Sequence, residues 1–156
     1  MSRRNRGFTL VELLCALAVL LLLGAGVHTG IHLASEAYRD SIRQSAAQTL
    51  CATLEERVAL ELREATGFTW QQEQLVFRGT SYGTGSSFAT NAQGQLELKG
   101  NPVLPPQAYP QGVEVRFQLE KAEHQEGILL LRLEIWDTEK QYSLAQRETE
   151  ILLLNF

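Results

Sequence analysis

The feature that most constrains this chain is a long apolar run near its N-terminus, preceded by a single acidic residue. From Leu13 to Val27 no charged or strongly polar side chain occurs, and Glu12 stands directly before this run. The leader, Met1 to Arg6, carries three arginines and no acid. Phe8 to Val27 would form a helix about 30 Å long, enough to cross the hydrocarbon core of a bilayer. The run therefore predicts a membrane-spanning helix whose N-terminus the arginines hold in the cytoplasm.

Glu12 lies where hydrocarbon would begin, so it is expected to need a cationic partner. Placing an ionised side chain at the bilayer centre costs about 2.5 to 3.5 kcal/mol on insertion scales. If the chain were cut between Gly7 and Phe8, the new α-amine of Phe8 would lie about 6 Å along the helix from Glu12. In a neighbouring copy displaced by that amount, the amine and the carboxylate would meet. The spacing predicts an assembly contact between copies.

The residues around this position carry a resemblance to a known family. Arg6-Gly7-Phe8-Thr9-Leu10-Val11-Glu12-Leu13-Leu14 is similar to the N-terminal signal of type IV pilins and of the pseudopilins of type II secretion and competence systems. The resemblance covers residues 1 to 30. It implies cleavage after Gly7 by a membrane prepilin peptidase, N-methylation of Phe8 and assembly with other pilin or pseudopilin subunits into a filament. It also implies membrane lipid around the helix before assembly, and an inner-membrane platform protein as a partner.

Other interpretations of the N-terminus remain open. An ordinary secretory signal also has basic residues before an apolar run, and Gly24-Ala25-Gly26 offers small residues suited to cleavage. Ser2-Arg3-Arg4 hints at a twin-arginine signal, but the apolar residue expected soon after the pair is missing. A plain single-pass anchor is a third possibility. All of these place the rest of the chain outside the cytoplasm, and under them the alternative function is an extracellular binding module.

The charge and the cysteine content give further information about the class of protein and its partners. The net charge of the 156-residue chain is −4, and losing the three leader arginines from its 14 basic side chains would leave 11 against 18 acidic ones. An acidic surface disfavours nucleic acid, and no direct nucleic-acid binding is predicted. Cys15 and Cys51 would lie about 54 Å apart on one helix, too far for a disulfide. Many pilins of diderm bacteria, in the family that the N-terminus resembles, close a C-terminal loop with a disulfide, and no cysteine follows Cys51. Within that resemblance, this departure favours a pseudopilin, a minor pilin or a pilin of a monoderm organism.

The helical pattern continues beyond the apolar run. Gly24, Gly26 and Gly30 would soften the helix or let another helix approach closely. An apolar residue then recurs at every fourth position: Tyr38, Ile42, Ala46, Leu50, Leu54, Val58 and Leu62. Polar residues occupy the other faces, among them Arg43, Glu55 and Glu61. Thr66-Gly67 is expected to end the helix.

The remaining residues predict an α+β fold with a lollipop shape. Leu75-Val76-Phe77 and Gln95–Leu98 have the character of short strands, and the residues between Gly79 and Gly94 are expected to form a loop. Three strands follow, near Val113–Glu120, Leu129–Trp136 and Tyr142–Leu154, and their short connections favour an antiparallel sheet. The helical stripe would cover the apolar face of this sheet. The expected organisation is a leader at residues 1–7, a membrane or filament-core helix at 8–30, its amphipathic continuation at 31–66 and a globular head at 67–156.

The sequence offers little to support catalysis. His28 and His32 lie one helical turn apart without a third metal ligand nearby, and His124 falls in a polar turn. The run Gly83-Thr84-Gly85-Ser86-Ser87 matches no phosphate-binding spacing. Glu114, Glu120, Glu134 and Glu148 alternate along strands and are predicted to lie on the solvated sheet face. No enzyme activity, metal or cofactor is expected.

Overall fold

A computed structural model describes residues 9–72, 74–122 and 127–155 of the chain. Within these ranges the chain forms one α-helix and nine β-strands, with a short 3-10 turn at Pro106–Ala108. The helix α1 spans Leu10–Glu64, and the chain divides into two compact units, Met1–Ser41 and Ile42–Phe156. The second unit contains the end of the helix and all the described strands. The predicted combination of a long N-terminal helix with an antiparallel sheet is confirmed.

The largest sheet is formed by the last three strands. These are β7 (Val113–Lys121), β8 (Ile128–Asp137) and β9 (Tyr142–Leu152), and they pair antiparallel in the order β7-β8-β9. Side chains alternate along β8, where four aliphatic residues are buried and the residues between them are partly exposed. The buried ones are Leu129, Leu131, Leu133 and Ile135. Alternation therefore placed these three strands correctly, because one face of the sheet is covered.

The end of α1 covers that buried face. Its buried residues recur at intervals of three and four, as expected for a helix packed along one side; the apolar ones are Ala47, Leu50, Cys51, Leu54, Val58, Ala59 and Leu62. The Cys51 thiol lies 3.7 Å from the carbonyl oxygen of Leu133. Burial raises the pKa of Cys51 to about 11, so this thiol stays protonated at neutral pH.

The apolar stripe predicted from Tyr38 to Leu62, with one residue at every fourth position, was wrong in its first part. Tyr38 and Ile42 are 69% and 50% exposed, and Ala46 is exposed as well. A stripe with a strict period of four turns steadily around a helix of 3.6 residues per turn, so it cannot stay on one buried face. Ala47 and Cys51, which are not part of that stripe, take up the packing positions instead.

The segment between the helix and β7 is more ordered than predicted. It forms two small antiparallel sheets, each with three strands. The first comprises β1 (Thr66–Gln71), β2 (Gln74–Gly79) and β3 (Gly83–Ser86), and the second comprises β4 (Phe88–Thr90), β5 (Leu96–Leu98) and β6 (Asn101–Pro102). The prediction of a loop from Gly79 to Gly94 was therefore wrong. These strands are too short and too polar to show a period of two in the sequence.

A row of aromatic rings connects the small sheets with the large one. Phe77 lies 6.1 Å from Phe68 and 5.7 Å from Phe88 between ring centroids, and Phe88 lies 5.6 Å from Phe117 on β7. Tilted pairs at these distances are favourable beyond the area that they bury. The rings thus join strands that do not belong to the same sheet.

A buried carboxylate on α1 holds the turn between β2 and β3. The Glu61 side chain accepts hydrogen bonds from the backbone N–H of Ser81 at 3.1 Å and from its hydroxyl at 2.7 Å, and a third from the hydroxyl of Thr80 at 3.2 Å. A Cβ atom at Gly79 would collide with this carboxylate. The small residue at position 79 lets the turn come close enough to satisfy Glu61.

A second carboxylate connects the helix to β9. Glu55 accepts a hydrogen bond from Arg147 Nη1 at 2.8 Å and another from the hydroxyl of Thr149. Burial alone would raise the pKa of Glu55, but these two hydrogen bonds and the charge of Arg147 outweigh it and lower the pKa below the ordinary value.

The third polar contact joins α1 to the turn between β8 and β9. Arg43 Nη2 lies 3.2 Å from Oδ2 of Asp137, which is fully buried, and Arg43 also donates to the carbonyl oxygen of Gln111 at 3.4 Å. Asp137 Oδ1 accepts the backbone N–H groups of Glu139 and Lys140, both at 2.9 Å. The hydrogen bond from Lys140 is the largest cause that holds the pKa of Asp137 below its ordinary value, and Glu139 and Arg43 add to it against the effect of burial.

Candidate functional site

The described start of α1 is a reciprocal capping arrangement between Thr9 and Glu12. The Glu12 Oε2 atom accepts the backbone N–H and the hydroxyl of Thr9, both at 3.0 Å. In return, the backbone N–H of Glu12 donates to Thr9 Oγ1 at 3.3 Å. A threonine followed three residues later by a glutamate satisfies in this way N–H groups that a helix N-terminus leaves without partners. Glu12 is thus placed by its own chain before any partner binds.

This arrangement leaves one carboxylate oxygen available. Both of these hydrogen bonds fall on Oε2, and Oε1 accepts no hydrogen bond from the residues that the structure describes. The side chain is exposed. Glu12 could therefore accept a cationic donor through Oε1 without giving up its contacts with Thr9.

The role of Thr9 was missed in the interpretation of the sequence. The spacing Thr9-x-x-Glu12 is itself a recognisable signal for a helix start. It was hidden because the same residues also form the family signature, so that Glu12 was assigned only a partner in another copy.

The two residues predicted to flank the cleavage site lie outside the described residues. These are Gly7 and Phe8, and both cleavage between them and N-methylation of Phe8 stay predictions. His124, which was expected in a polar turn, lies outside the described residues as well.

The helix that follows Glu12 exposes its apolar side chains on all sides. Leu10, Leu14, Leu20, Leu23 and Leu33 are between 56% and 76% exposed. Glu12 is the only Asp, Glu, Lys or Arg from Leu10 to Ser35. By length and composition α1 is able to cross a membrane. An apolar surface of this size in water would be unfavourable, so this part of the chain requires lipid or other subunits around it.

The three glycines of this helix have open space around them. A Cβ atom added at Gly24, Gly26 or Gly30 would meet nothing within 4 Å. Glycine in a helix interior costs about 1 kcal/mol relative to alanine, and no contact within the described chain requires it at these positions. A packing role for these glycines would therefore not involve the described part of this chain.

The histidine pair does not form a metal centre with the described residues. His32 Nδ1 lies 3.4 Å from a carboxylate oxygen of Glu36, one turn further along the same helix, and both side chains are exposed. Among the described parts of the chain, no group of three His, Cys, Asp or Glu side chains is placed to hold a metal ion. The contact of His32 is thus a local one along the helix surface.

Comparison with known proteins gives one positive result, and it falls on this segment. Residues 2–27 match the model of the prokaryotic N-terminal methylation motif. No curated protein and no solved structure matches the chain. The matched residues include Gly7, Phe8, the capping pair and most of the exposed apolar helix. The chain therefore carries a type IV pilin-like prepilin signal at its N-terminus.

Proposed function

We propose that the protein is a structural subunit of a type IV pilus-like filament, specifically a minor pilin or pseudopilin. The filament would serve pilus assembly, type II secretion or DNA uptake. The observation that carries the proposal is the methylation motif at residues 2–27, in front of a helix whose apolar side chains need partners outside the chain. A motif of this kind is typical of structural subunits that a peptidase processes and that assemble with other pilin-like subunits.

The proposed pathway begins in the cytoplasmic membrane. The helix holds the protein there as a single-pass subunit with its globular part outside, and the prepilin peptidase cuts after Gly7. A platform protein in the inner membrane then helps to move the subunit from lipid into a filament outside the membrane. In this pathway the role of the protein is mechanical, and it carries out no chemical reaction of its own.

The role proposed for Glu12 follows from the geometry at the start of the helix. Its carboxylate is held by Thr9 through Oε2, which leaves Oε1 to accept the Phe8 amine of a neighbouring subunit. An ion pair surrounded by apolar helices is much stronger than one in water, because the effective dielectric constant is lower. The pair would set the axial position of each subunit against the next.

The direct test is the intact mass of the protein extracted from membranes of its native host. We expect a chain that begins at Phe8 and carries one added methyl group. The Gly7→Val variant should instead retain the full leader and accumulate in the membrane, because its cleavage site is blocked. A mature N-terminus near Val27 would support an ordinary secretory signal and would contradict the proposal. An uncut wild-type chain beginning at Met1 would contradict it as well.

A further inference from the structure

The outer edge of β7 has no backbone partner over its second half among the residues that the structure describes. Ala122 donates its backbone N–H to Ile128 of β8, and Thr138 donates to the carbonyl oxygen of Gly112 at the other end of the same pair of strands. These two bonds show that even-numbered residues of β7 direct their backbone groups towards β8. Since backbone groups alternate along a strand, those of Val115, Phe117, Leu119 and Lys121 are directed away from the sheet.

The first of these outward positions is occupied within the chain. Val115 donates its N–H to the carbonyl oxygen of Gly94 at 2.8 Å, and its own carbonyl oxygen accepts the Thr90 hydroxyl at 3.0 Å. Gly94 has a φ of +74°, and a Cβ atom there would lie 3.0 Å from Glu114 Cα. Glycine at position 94 therefore permits the backbone to approach this part of β7.

Beyond Val115 the edge has no backbone partner among the residues that the structure describes. The free edge from Phe117 to Lys121 is about 13 Å long, room for a strand of on the order of five residues. Unpaired N–H and C=O groups on an edge strand are a ready template for another extended chain.

A groove of about 700 Å³ runs beside this free edge. Its apolar lining includes Trp70, Leu75, Phe88, Phe117 and Leu119. Phe88 and Leu75 are almost fully buried, and Trp70 and Phe117 are partly buried. An extended chain paired with β7 would thus have apolar pockets on one side for every second side chain.

Two charged residues, Glu120 and Lys121, lie at the end of the groove. Glu120 lies 3.7 Å from Arg132 on the outer sheet face, so its charge already has a partner. Lys121 Nζ lies 5.6 Å from the centre of the Trp70 ring and makes no ion pair with a described residue. A bound chain with an acidic side chain near Lys121 would complement this charge.

We propose that the β7 groove is a docking site for an extended segment of a partner protein. The segment adds a strand to the free edge at Phe117, Leu119 and Lys121. Its alternating apolar side chains lie in the groove, and an acidic side chain lies near Lys121. Such strand addition draws affinity from main-chain hydrogen bonds and specificity from the side-chain pockets. This site lies in the head, and it does not depend on the filament role proposed for the N-terminal helix.

The test uses the full chain in lipid nanodiscs and a fluorescently labelled short peptide that alternates valine with threonine and carries one glutamate near an end. Fluorescence anisotropy measures the dissociation constant. We expect saturable binding. The same peptide with N-methyl groups on the amides that face β7 should bind at least about tenfold more weakly, because it cannot donate those hydrogen bonds.

Variants of the protein separate strand pairing from simple apolar contact. Leu119→Pro removes one outward N–H and should weaken binding at least about tenfold, whereas the matched Leu119→Val variant keeps the N–H and should change it less than about threefold. Lys121→Glu should weaken binding of the glutamate peptide and strengthen binding of a lysine version. Circular dichroism and thermal unfolding of each variant check that the fold is retained.

Three outcomes would overturn the proposal. They are equal binding of the N-methylated peptide, no saturable binding of either charged peptide by the wild type, and an unchanged preference in Lys121→Glu. The first would show that the groove takes apolar ligands without strand pairing. If Leu119→Pro fails to fold, the comparison of the two charged peptides on Lys121→Glu still tests the proposal.

Discussion

At the scale of single residues, one side chain at the N-terminus has two separable tasks. Glu12 caps its own helix through Thr9, and it is proposed to pair with the Phe8 amine of a neighbouring subunit. Capping needs only an acceptor atom, whereas pairing needs the negative charge. An uncharged isostere therefore distinguishes the two.

We expect Glu12→Gln to be inserted and processed normally but to enter the filament poorly. Its amide oxygen still accepts from Thr9, so the helix start is preserved, while the charge is lost. Glu12→Val should show the same loss of assembly and should insert more readily, because a carboxylate in hydrocarbon is costly. Thr9→Val keeps the charge and removes only part of the cap, which costs about 1 kcal/mol at the helix start.

The measurement is fractionation of cells into processed, membrane-bound and sheared-filament pools. Normal assembly of Glu12→Gln together with poor assembly of Thr9→Val would show that capping, and not the charge, is the property that matters.

At the scale of elements, the first part of α1 is exposed and the second part packs against the sheet. The described residues before Asp40 are exposed, whereas from Ala47 onward one side is buried against the sheet. Arg43, Glu55 and Glu61 were expected only to occupy other faces of the helix. In the structure each of them contacts a different part of the head, because the packed side of the helix is wider than its apolar stripe.

Two leucines on the same helix provide a matched test of this packing. Leu54 is fully buried, whereas Leu60 is 52% exposed. In a fragment lacking residues 1–29, Leu54→Asp should lower the free energy of unfolding by at least about 3 kcal/mol, since an unpaired carboxylate would be buried. Leu60→Asp should lower it by less than about 1 kcal/mol. Urea unfolding followed by circular dichroism gives both values, and similar losses in the two variants would contradict the packing described for α1.

At the scale of the whole molecule, two hydrogen-bonded carboxylates, one of them fully buried, make the stability of the head depend on pH. Asp137 and Glu55 both have pKa values lowered by folding, from ordinary values of 3.8 and 4.5. For a group whose folded pKa is depressed, the stabilisation is complete above the unfolded pKa and is lost as the pH falls through the folded pKa. The head should thus lose stability steadily below about pH 5.

The Asp137→Asn variant tests this dependence. Asparagine keeps an acceptor for the N–H groups of Glu139 and Lys140 but loses the charge that faces Arg43. We expect it to be less stable at neutral pH by about 1 to 3 kcal/mol and to depend less steeply on pH in the acid range. Its stability should approach that of the wild type as the pH falls. The free energy of unfolding of both proteins is measured between about pH 3 and 7, a range chosen to include the ordinary pKa of an aspartate. If the two values change with pH in the same way, the Asp137 carboxylate is not responsible for the pH dependence.

The sequence by itself determined the features that depend on neighbouring residues or on a regular period. The helix start, the apolar span and the three strands from Val113 to Leu152 follow from local spacing, because a helix or a half-covered strand repeats its pattern along the chain. The prepilin signal is equally local, since all its residues lie within one short segment, and the family comparison agrees with it.

Only the tertiary structure decided which parts of the chain meet. The strands between Thr66 and Pro102 each pair with a neighbour along the chain, but they are too short to show a period in the sequence. The contacts of Arg43, Glu55 and Glu61 with the head join residues far apart in the chain. The second half of the outer edge of β7 has no backbone partner in the described part of the chain, and a local sequence pattern does not encode which strand edges stay unpaired. Contacts between distant residues are selected by the packing of the whole head, and this is the physical reason that the sequence alone left them undetermined.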